Sequence, residues 1–194
     1  MKKIAVLVSG GGTNLAALIK AERSGSIKSG KISLVISSNP DAYALVRAQR
    51  AGIATFTADK KVLKEKFEET IIEKLRKEKI DLIILAGFMS ILSRDFIRVF
   101  EGRIINVHPS LIPSFCGKGC YGIKVHEMAL SYGVKVTGAT VHFVNEVPDG
   151  GKIILQKAVA VAEDDTPESL QKRVMRLAEH KILPEAAELV LKTL

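Results

Sequence analysis

The chain alternates short apolar runs with segments in which apolar residues recur every three or four positions. The apolar runs have the length of single strands, each is followed by a turn, and they cover residues 4–8, 32–36, 80–85 and 103–107. The segments with helical period predict helices over residues 14–21, 42–51, 62–76, 94–99 and 124–132. Strands that are apolar throughout need helices on both faces, so this alternation predicts an α/β fold built on a parallel sheet.

The pattern changes after about residue 133. Two longer strand-like segments, 134–144 and 152–161, flank a turn region that contains Asp149, Gly150 and Gly151. Two strands joined in this way favour an antiparallel extension of the sheet. We therefore expect a Rossmann-like, mostly parallel twisted sheet flanked by helices, with an antiparallel C-terminal extension. A length of 194 residues fits one domain, 1–194, without disulfides or metals to stabilise it.

The last predicted helix has a clear N-terminal signal and a proline inside its helical pattern. Thr166 is a good N-cap, and Pro167 suits the first helical position. Pro184 lies inside the helical pattern and cannot donate to the carbonyl of His180, so we expect a kink or break there. Glu179 and His180 would then lie beside irregular backbone, although an ordinary kinked surface helix is an open alternative.

Composition narrows the classes of protein to which the chain can belong. It is 47% apolar and 26% charged, and no apolar run reaches the roughly 18 residues of a membrane span. The first apolar run is also too short for a signal peptide, because Ser9 and three glycines follow it. We therefore expect a cytoplasmic protein without a membrane partner.

The net charge of +8 favours anionic partners. Most of the Lys and Arg residues alternate with acids on predicted helices, as in residues 60–69, which is typical of a solvated helix face. Aromatic residues make up only 5% of the chain, too few for the stacking platforms of single-strand binders. A small, multiply anionic substrate is therefore expected in place of a nucleic acid.

Two cysteines, Cys116 and Cys120, lie in a glycine-rich loop. A zinc site would need two more ligands, and although His126 is nearby, no second pair of ligands accompanies the cysteines, so we expect no metal. A redox-sensitive pair stays open, and free thiols are expected in a reducing compartment. The sequence does not reveal what these two residues do.

The strand predicted at 103–107 leads into two polar side chains that can take part in catalysis. Asn106 and His108 are two residues apart, so they would point into one crevice. Asn offers amide donors for a developing oxyanion and His titrates near neutral pH, so together they make half of an acyl-transfer site. The expected carboxylate is Asp149, although an Asp before two glycines is often only a turn residue.

The turn between the first strand and the first helix predicts a phosphate site. Residues 8–15 read Val-Ser-Gly-Gly-Gly-Thr-Asn-Leu, and such a turn places backbone N–H groups and a positive helix end around an anion. The loop lacks the Gly-Lys-Ser/Thr of a P-loop, and Leu15 replaces the third glycine of the dinucleotide fingerprint. A phosphomonoester is therefore favoured, with Gly12, Thr13 and Asn14 as donors.

These segments resemble the glycinamide ribonucleotide formyltransferase family, which uses folate in purine synthesis, over nearly the whole chain. The similarity rests on five blocks in the same order, at residues 9–15, 85–92, 106–113 with Gly117, 141–144 leading to 149–151, and 179–182. It implies transfer of the formyl group of 10-formyltetrahydrofolate, the co-substrate, to the amine of 5'-phosphoribosylglycinamide in de novo purine (IMP) biosynthesis.

The resemblance also implies roles for three groups of residues. The catalytic group is Asn106, His108 and Asp149. The substrate group holds the phosphate through Gly12, Thr13 and Asn14 and meets the glycinamide end through Glu179. The folate group contains Lys64, Met89, Ser90, Ile91, Leu92 and Asn106. The loop at 116–124 departs from the family pattern, because it is longer and has Cys116 where a proline is common.

Three other functions are weighed against this interpretation. A formyltetrahydrofolate hydrolase would carry an N-terminal regulatory domain and a methionyl-tRNA formyltransferase an additional C-terminal domain, so we expect neither in a chain that runs from a strand at Lys3 to Leu194. The rival of another class is a non-catalytic phosphate or folate binding module on the same fold. The expected partners are small molecules, with the protein a monomer or a homodimer.

Overall fold

The computed structural model describes residues 1–194 and contains one seven-stranded sheet with the strand order β3-β2-β1-β4-β5-β6-β7. The strands are β1 (Lys2–Val8), β2 (Gly30–Ser37), β3 (Ala54–Thr57), β4 (Leu82–Leu85), β5 (Ile104–His108), β6 (Val136–Phe143) and β7 (Ile153–Ala160). Strands β1 to β5 are parallel, whereas β6 runs antiparallel to β5 and β7 antiparallel to β6. The predicted mostly parallel sheet with an antiparallel extension is confirmed.

Helices cover both faces of the sheet. They are α1 (Thr13–Arg23), α2 (Tyr43–Arg50), α3 (Lys60–Leu63), α4 (Phe67–Lys77), α5 (Arg94–Val99), α6 (Ile123–Tyr132), α7 (Pro167–Val174) and α8 (His180–Leu191). One core layer contains buried residues of α1, α2, α6, α7 and α8, and a second contains those of α4 and α5. Strand β1 serves both layers, because Ile4 and Val6 enter the first and Ala5 and Leu7 the second. None of the helices combines the length and the apolar character that a membrane span requires.

The strand order creates a crevice at the carboxyl ends of β1 and β4. From β1 the chain builds β2 and β3 on one side and then crosses over to build β4 and β5 on the other, and ligands of open α/β sheets bind where the order reverses in this way. The loops after β1 and β4 meet there. The N–H of Ser9 donates to the carbonyl of Gly87 at 3.1 Å, and the N–H of Met89 donates to the hydroxyl of Ser9 at 2.9 Å.

Two elements between β2 and β4 differ from the predicted ones. Strand β3 lies at the edge of the sheet with no buried residue, so it lacks the apolar run that reveals the other strands. The helix predicted over residues 62–76 is divided into α3, a 3₁₀ turn at Lys64–Lys66, and α4. Lys64 has a left-handed φ of 48°, which an α-helix does not contain. Helix α4 has a row of buried apolar residues, whereas α3 has no buried residue. Packing against the core therefore stabilises a regular helix only in α4.

The C-terminal helical segment begins as predicted and is irregular at a different place. The Thr166 side chain accepts from the N–H of Ser169 at 3.2 Å, and the Ser169 hydroxyl accepts from the N–H of Thr166 at 2.9 Å. A π-helical turn covers Met175–Glu179, and α8 then continues through Pro184. The helix does not break at Pro184, but the irregular backbone expected beside Glu179 and His180 is present. It is the π turn, which lies directly before His180, the residue whose carbonyl lacks the Pro184 donor.

Candidate active site

Strand β5 carries two of the expected catalytic side chains. Asn106 and His108 alternate with Ile105 and Val107, which are buried in the core layer of α1 and α8. Alternation along the strand therefore directs both polar side chains to the opposite face, beside Ile104 and the layer of α4 and α5. His108 is only 4% exposed, so its ring needs partners within the chain.

The third expected residue, Asp149, lies in the loop between β6 and β7. Asp149 has a left-handed φ of 55°, and a Cβ at Gly151 would lie 1.7 Å from the carbonyl oxygen of Phe143, so this tight turn requires glycine at 151. The loop brings Asp149 Oδ2 to 3.6 Å from His108 Nδ1 and Asp149 Oδ1 to 3.6 Å from His142 Nε2. The structure therefore brings Asp149 and His108 together.

The one hydrogen bond of the His108 ring shows which nitrogen carries a hydrogen. Nε2 lies 2.9 Å from the carbonyl oxygen of Phe115, which can only accept, so Nε2 carries a hydrogen. Nδ1 faces Asp149 at 3.6 Å, the distance of an ion pair and too long for a hydrogen bond. Nδ1 therefore makes no hydrogen bond within the chain and is free to contact a reacting group.

His142 is a site residue that the sequence analysis did not assign. It lies directly opposite Asn106 in the pairing of β5 with β6 and is 2% exposed. His142 Nδ1 lies 2.8 Å from the carbonyl oxygen of Phe143 and therefore donates to it, which leaves Nε2 to accept from Asn106 Nδ2 at 3.2 Å. This bond fixes the amide orientation of Asn106. The antiparallel register of the two strands is the signal that could have identified His142.

The loop between β5 and α6 holds the catalytic pair through its backbone. The carbonyl of Phe115 accepts from His108, and the N–H of Gly117 donates to Asp149 Oδ2 at 2.9 Å. Both loop residues have left-handed φ values, 50° for Phe115 and 87° for Gly117. The resemblance identified Gly117 as a matching residue without a role, and backbone contacts of this kind leave no direct signal in a sequence.

Asp149 is held as a carboxylate. Burial by itself raises the pKa of Asp149, but the charge of His108 and the hydrogen bond from the N–H of Gly117 lower that pKa below its ordinary value of 3.8. The pKa of Cys116 is raised, first by burial and then by the charge of Asp149. The site thus contains a fixed negative charge beside two imidazole rings.

The loop after β1 presents a row of backbone donors. None of the N–H groups from Gly10 to Asn14 donates to another group of the chain, and the last of them form the first turn of α1. Gly12 has a φ of 72°, and a Cβ there would lie 2.6 Å from the Cβ of Ala44, so only glycine allows this approach of the loop to α2. Free N–H groups at the start of a helix suit a phosphate, so phosphate binding at this loop stays a prediction.

Glu179 joins the terminal helix to this loop. The π turn buries Glu179 to 6% exposure, where its Oε2 accepts from Asn14 Nδ2 at 2.7 Å. Burial raises the pKa of Glu179, and the hydrogen bond from Asn14 opposes that shift. The side chain of Asn14 is therefore directed at Glu179, and only its backbone N–H is left to donate to an anion.

The loop after β4 contains the predicted folate residues Met89, Ser90, Ile91 and Leu92. Met89 and Ile91 are 58% and 75% exposed, whereas Leu92 is buried. The ring of Phe88 stacks on that of Phe67 with centroids 6.3 Å apart, which anchors the loop on α4. Apolar side chains that stay exposed beside a crevice suit a flat aromatic ligand.

Lys64, Cys116 and Cys120 are the remaining residues that the sequence analysis considered. Lys64 is exposed in the 3₁₀ turn, and its side chain makes no hydrogen bond or ion pair within the chain. Cys116 and Cys120 are free thiols and half-buried. No group of three or more His, Cys, Asp and Glu residues is arranged to hold a metal ion.

Comparison with known proteins gives the chain a family. A family model described as formyl transferase matches residues 2–187. The trifunctional purine biosynthetic protein adenosine-3 of Homo sapiens is 47% identical over 190 residues, which are 97% of this chain and only 18% of that protein. The phosphoribosylglycinamide formyltransferase of Bacillus subtilis (strain 168) is 38% identical over 193 residues, which are 98% of this chain and 95% of that protein.

Solved structures agree with these relatives. The crystal structure of glycinamide ribonucleotide transformylase 1 from Symbiobacterium toebii superposes with a TM-score of 0.92 at 42% identity, and the match covers 100% of this chain and 89% of that one. The sheet order, the site geometry and the matched length point the same way. The chain belongs to the formyl transferase family, in the group of the phosphoribosylglycinamide formyltransferases.

Proposed function

We propose that the protein transfers the formyl group of 10-formyltetrahydrofolate to the amine of 5'-phosphoribosylglycinamide, a step of de novo purine biosynthesis. The observation that carries this proposal is the meeting of Asn106, His108 and Asp149 in a member of the formyl transferase family. A loop of free N–H groups that suits the phosphate of the acceptor lies beside the same crevice.

In this reaction the amine nitrogen attacks the formyl carbon, and the carbonyl electrons move to the formyl oxygen. The tetrahedral species then collapses, the bond from carbon to the folate nitrogen breaks, and that nitrogen leaves with the electron pair. The amine loses one proton and the folate nitrogen gains one. The enzyme must therefore stabilise an oxyanion and move a proton over a short distance.

The oxyanion would receive two donors. One hydrogen of Asn106 Nδ2 is bonded to His142, and the other is available for the formyl oxygen. His108 Nδ1–H supplies the second, because its contact with Asp149 is too long to be a hydrogen bond. Each such donor commonly lowers a barrier by about 2.7–4 kcal/mol.

Asp149 would act on the proton side of the reaction. Its lowered pKa keeps it ionised at neutral pH, where it stabilises the charged ring of His108. The same carboxylate can accept the amine proton, directly or through a water molecule, while the folate nitrogen receives its proton as it leaves.

Substrate binding follows the predicted groups. The phosphate would accept from the N–H groups of Gly12, Thr13 and Asn14. Glu179 would meet the glycinamide end. Folate would lie against Met89, Ser90, Ile91 and Leu92 and contact Asn106, with Lys64 as a cation for the carboxylates of its tail.

The test is to incubate the protein with both substrates and identify the products by mass spectrometry. The proposal predicts N-formylated ribonucleotide together with tetrahydrofolate. Free formate without formylated ribonucleotide would contradict it and indicate the hydrolase. Neither product, together with binding of either ligand, would indicate the non-catalytic module.

Four further expectations belong to this proposal. The partners are small molecules, nucleic acid is not among them, the protein acts in the cytoplasm, and it is a monomer or a homodimer. Sedimentation at several protein concentrations distinguishes the last two states. The net charge of +8 agrees with two anionic substrates.

A further inference from the structure

An ion cluster joins the loop between β6 and β7 to α5. Glu146 lies three residues before Asp149, and its carboxylate is shared by two arginines of α5. Glu146 Oε2 is 2.7 Å from Arg94 Nε, and Glu146 Oε1 is 3.6 Å from Arg98 Nε. Arg94 and Arg98 are four residues apart, so they project from the same side of the helix.

The two elements that this cluster joins would be the two walls of the proposed folate site. Helix α5 follows directly on the loop that carries Ile91, and the side chain of Ser93 caps that helix by accepting from the N–H of Phe96 at 3.2 Å. The opposite wall is the loop that carries Asp149. Each wall exposes an apolar side chain, Ile91 at 75% and Val147 at 61%. A flat ring between these walls depends on the distance that separates them.

We propose that Glu146, with Arg94 and Arg98, is a positioning residue for the folate substrate. The cluster holds the β6–β7 loop against α5 at the spacing that the pteridine ring requires, and this inference rests on the proposed function. The phosphate end of the acceptor site is supported separately, because the phosphate loop is held by α2 and by the contact of Asn14 with Glu179. Loss of the cluster should therefore affect folate and leave the ribonucleotide unaffected.

The size of the effect is limited by solvent. The side chains of Arg94, Arg98 and Glu146 are 63%, 64% and 39% exposed, and exposed ion pairs shift an equilibrium by about 1.5-fold to 5-fold. The effect should shrink at high salt. The pair of Lys74 with Glu78, 2.7 Å apart on and after α4, is a control of the same kind away from the folate walls.

The experiment compares Glu146→Gln with Glu78→Gln. Glu146→Gln should raise KM for 10-formyltetrahydrofolate and weaken the calorimetric affinity for tetrahydrofolate by about 2-fold to 5-fold, with KM for the ribonucleotide unchanged. Glu78→Gln should change none of these. The charge exchange Glu146→Arg with Arg94→Glu and Arg98→Glu, which reverses every charge of the cluster, should restore the folate values, and a loss of general stability would not allow this.

Three results would overturn the inference. They are an unchanged folate KM in Glu146→Gln, an equal rise of both KM values, and a charge exchange that fails to restore folate affinity. Calorimetry with tetrahydrofolate needs no turnover. If the protein bound folate but transferred no formyl group, the proposed function would be contradicted, and calorimetry would still measure whether Glu146 contributes to folate affinity. A wild-type protein that does not bind tetrahydrofolate would overturn the inference as well.

Discussion

At the scale of single residues, the site is organised around one carboxylate that faces two histidines. Asp149 lies 3.6 Å from both His108 and His142, and the two rings have different duties. His108 keeps a nitrogen free for a reacting group, whereas both nitrogens of His142 are engaged by Phe143 and Asn106. His142 therefore supports the donors of the site, and His108 is the ring that can take part in the reaction.

This division of roles leads to a prediction for His142→Phe. An aromatic ring is kept and both hydrogen bonds are lost, so Asn106 is free to turn its amide away from the formyl oxygen. We expect kcat to fall by about 5-fold to 100-fold, the range of a lost buried hydrogen bond, with both KM values nearly unchanged. Steady-state kinetics with both substrates varied measures this, and a wild-type kcat in a folded variant would contradict the role.

At the scale of elements, the antiparallel end of the sheet makes the site possible. Because β6 runs antiparallel to β5, His142 lies directly opposite Asn106, and the loop that follows can return Asp149 to His108. The ends of β1 and β4 contribute to the site through the loops that follow them, and not through side chains on the strands themselves. Ser9 ties two of these loops, since it contacts both Gly87 and Met89.

The phosphate loop gives a prediction that separates two neighbouring glycines. A Cβ at Gly12 would lie 2.6 Å from the Cβ of Ala44, and its φ of 72° is unfavourable for alanine, whereas a Cβ at Gly11 meets nothing within 4 Å. Gly12→Ala should lower the free energy of unfolding by about 1–3 kcal/mol and raise KM for the ribonucleotide.

Gly11→Ala is the control for stability and should lie within about 0.5 kcal/mol of the wild type. Urea denaturation of both variants measures the difference. Equal stability of the two variants would show that the loop does not need the left-handed conformation at Gly12.

The same elements show how far the sequence leads. The buried strands, Thr166 as a cap and the pairing of Asn106 with His108 on one face follow from periodicity and local chemistry. The edge strand β3 and the division at Lys64 do not, because neither has the apolar pattern of a buried element. The contacts of Asp149 depend on a loop that returns over β5, and this geometry is set by tertiary packing.

At the scale of the whole molecule, the C-terminal segment closes the structure around the phosphate loop. Glu179 reaches Asn14 of α1, and further along the same segment Glu188 reaches the backbone before β2. The Glu188 carboxylate accepts from the N–H groups of Lys28 and Ser29 at 2.8 and 3.0 Å, and from the Ser29 hydroxyl at 2.8 Å. Burial opposes the charge of Glu188, but these bonds lower its pKa from 4.5 to about 2.

A carboxylate whose pKa is lower in the folded than in the unfolded protein stabilises the fold fully at pH values above its unfolded-state pKa. This stabilisation is lost as the pH falls towards the folded-state pKa. Glu188→Gln should therefore lower the free energy of unfolding by about 2–3 kcal/mol at pH 7 and by clearly less near pH 3. Glu185→Gln is the matched control, because Glu185 is exposed on the same helix. Urea denaturation at both pH values measures the effect, and a pH-independent loss would contradict the role of the charge.

The most direct test of the central claim is turnover of Asp149→Asn. Tetrahydrofolate release is followed with and without the ribonucleotide, for this variant and the wild type. The account predicts release by the wild type only when the ribonucleotide is present, and a fall in kcat of about 100-fold to 1000-fold in the variant with little change in either KM. A variant that releases tetrahydrofolate at nearly the wild-type rate would contradict the account. The reaction would then need no carboxylate to stabilise the charged ring of His108 or to accept the amine proton.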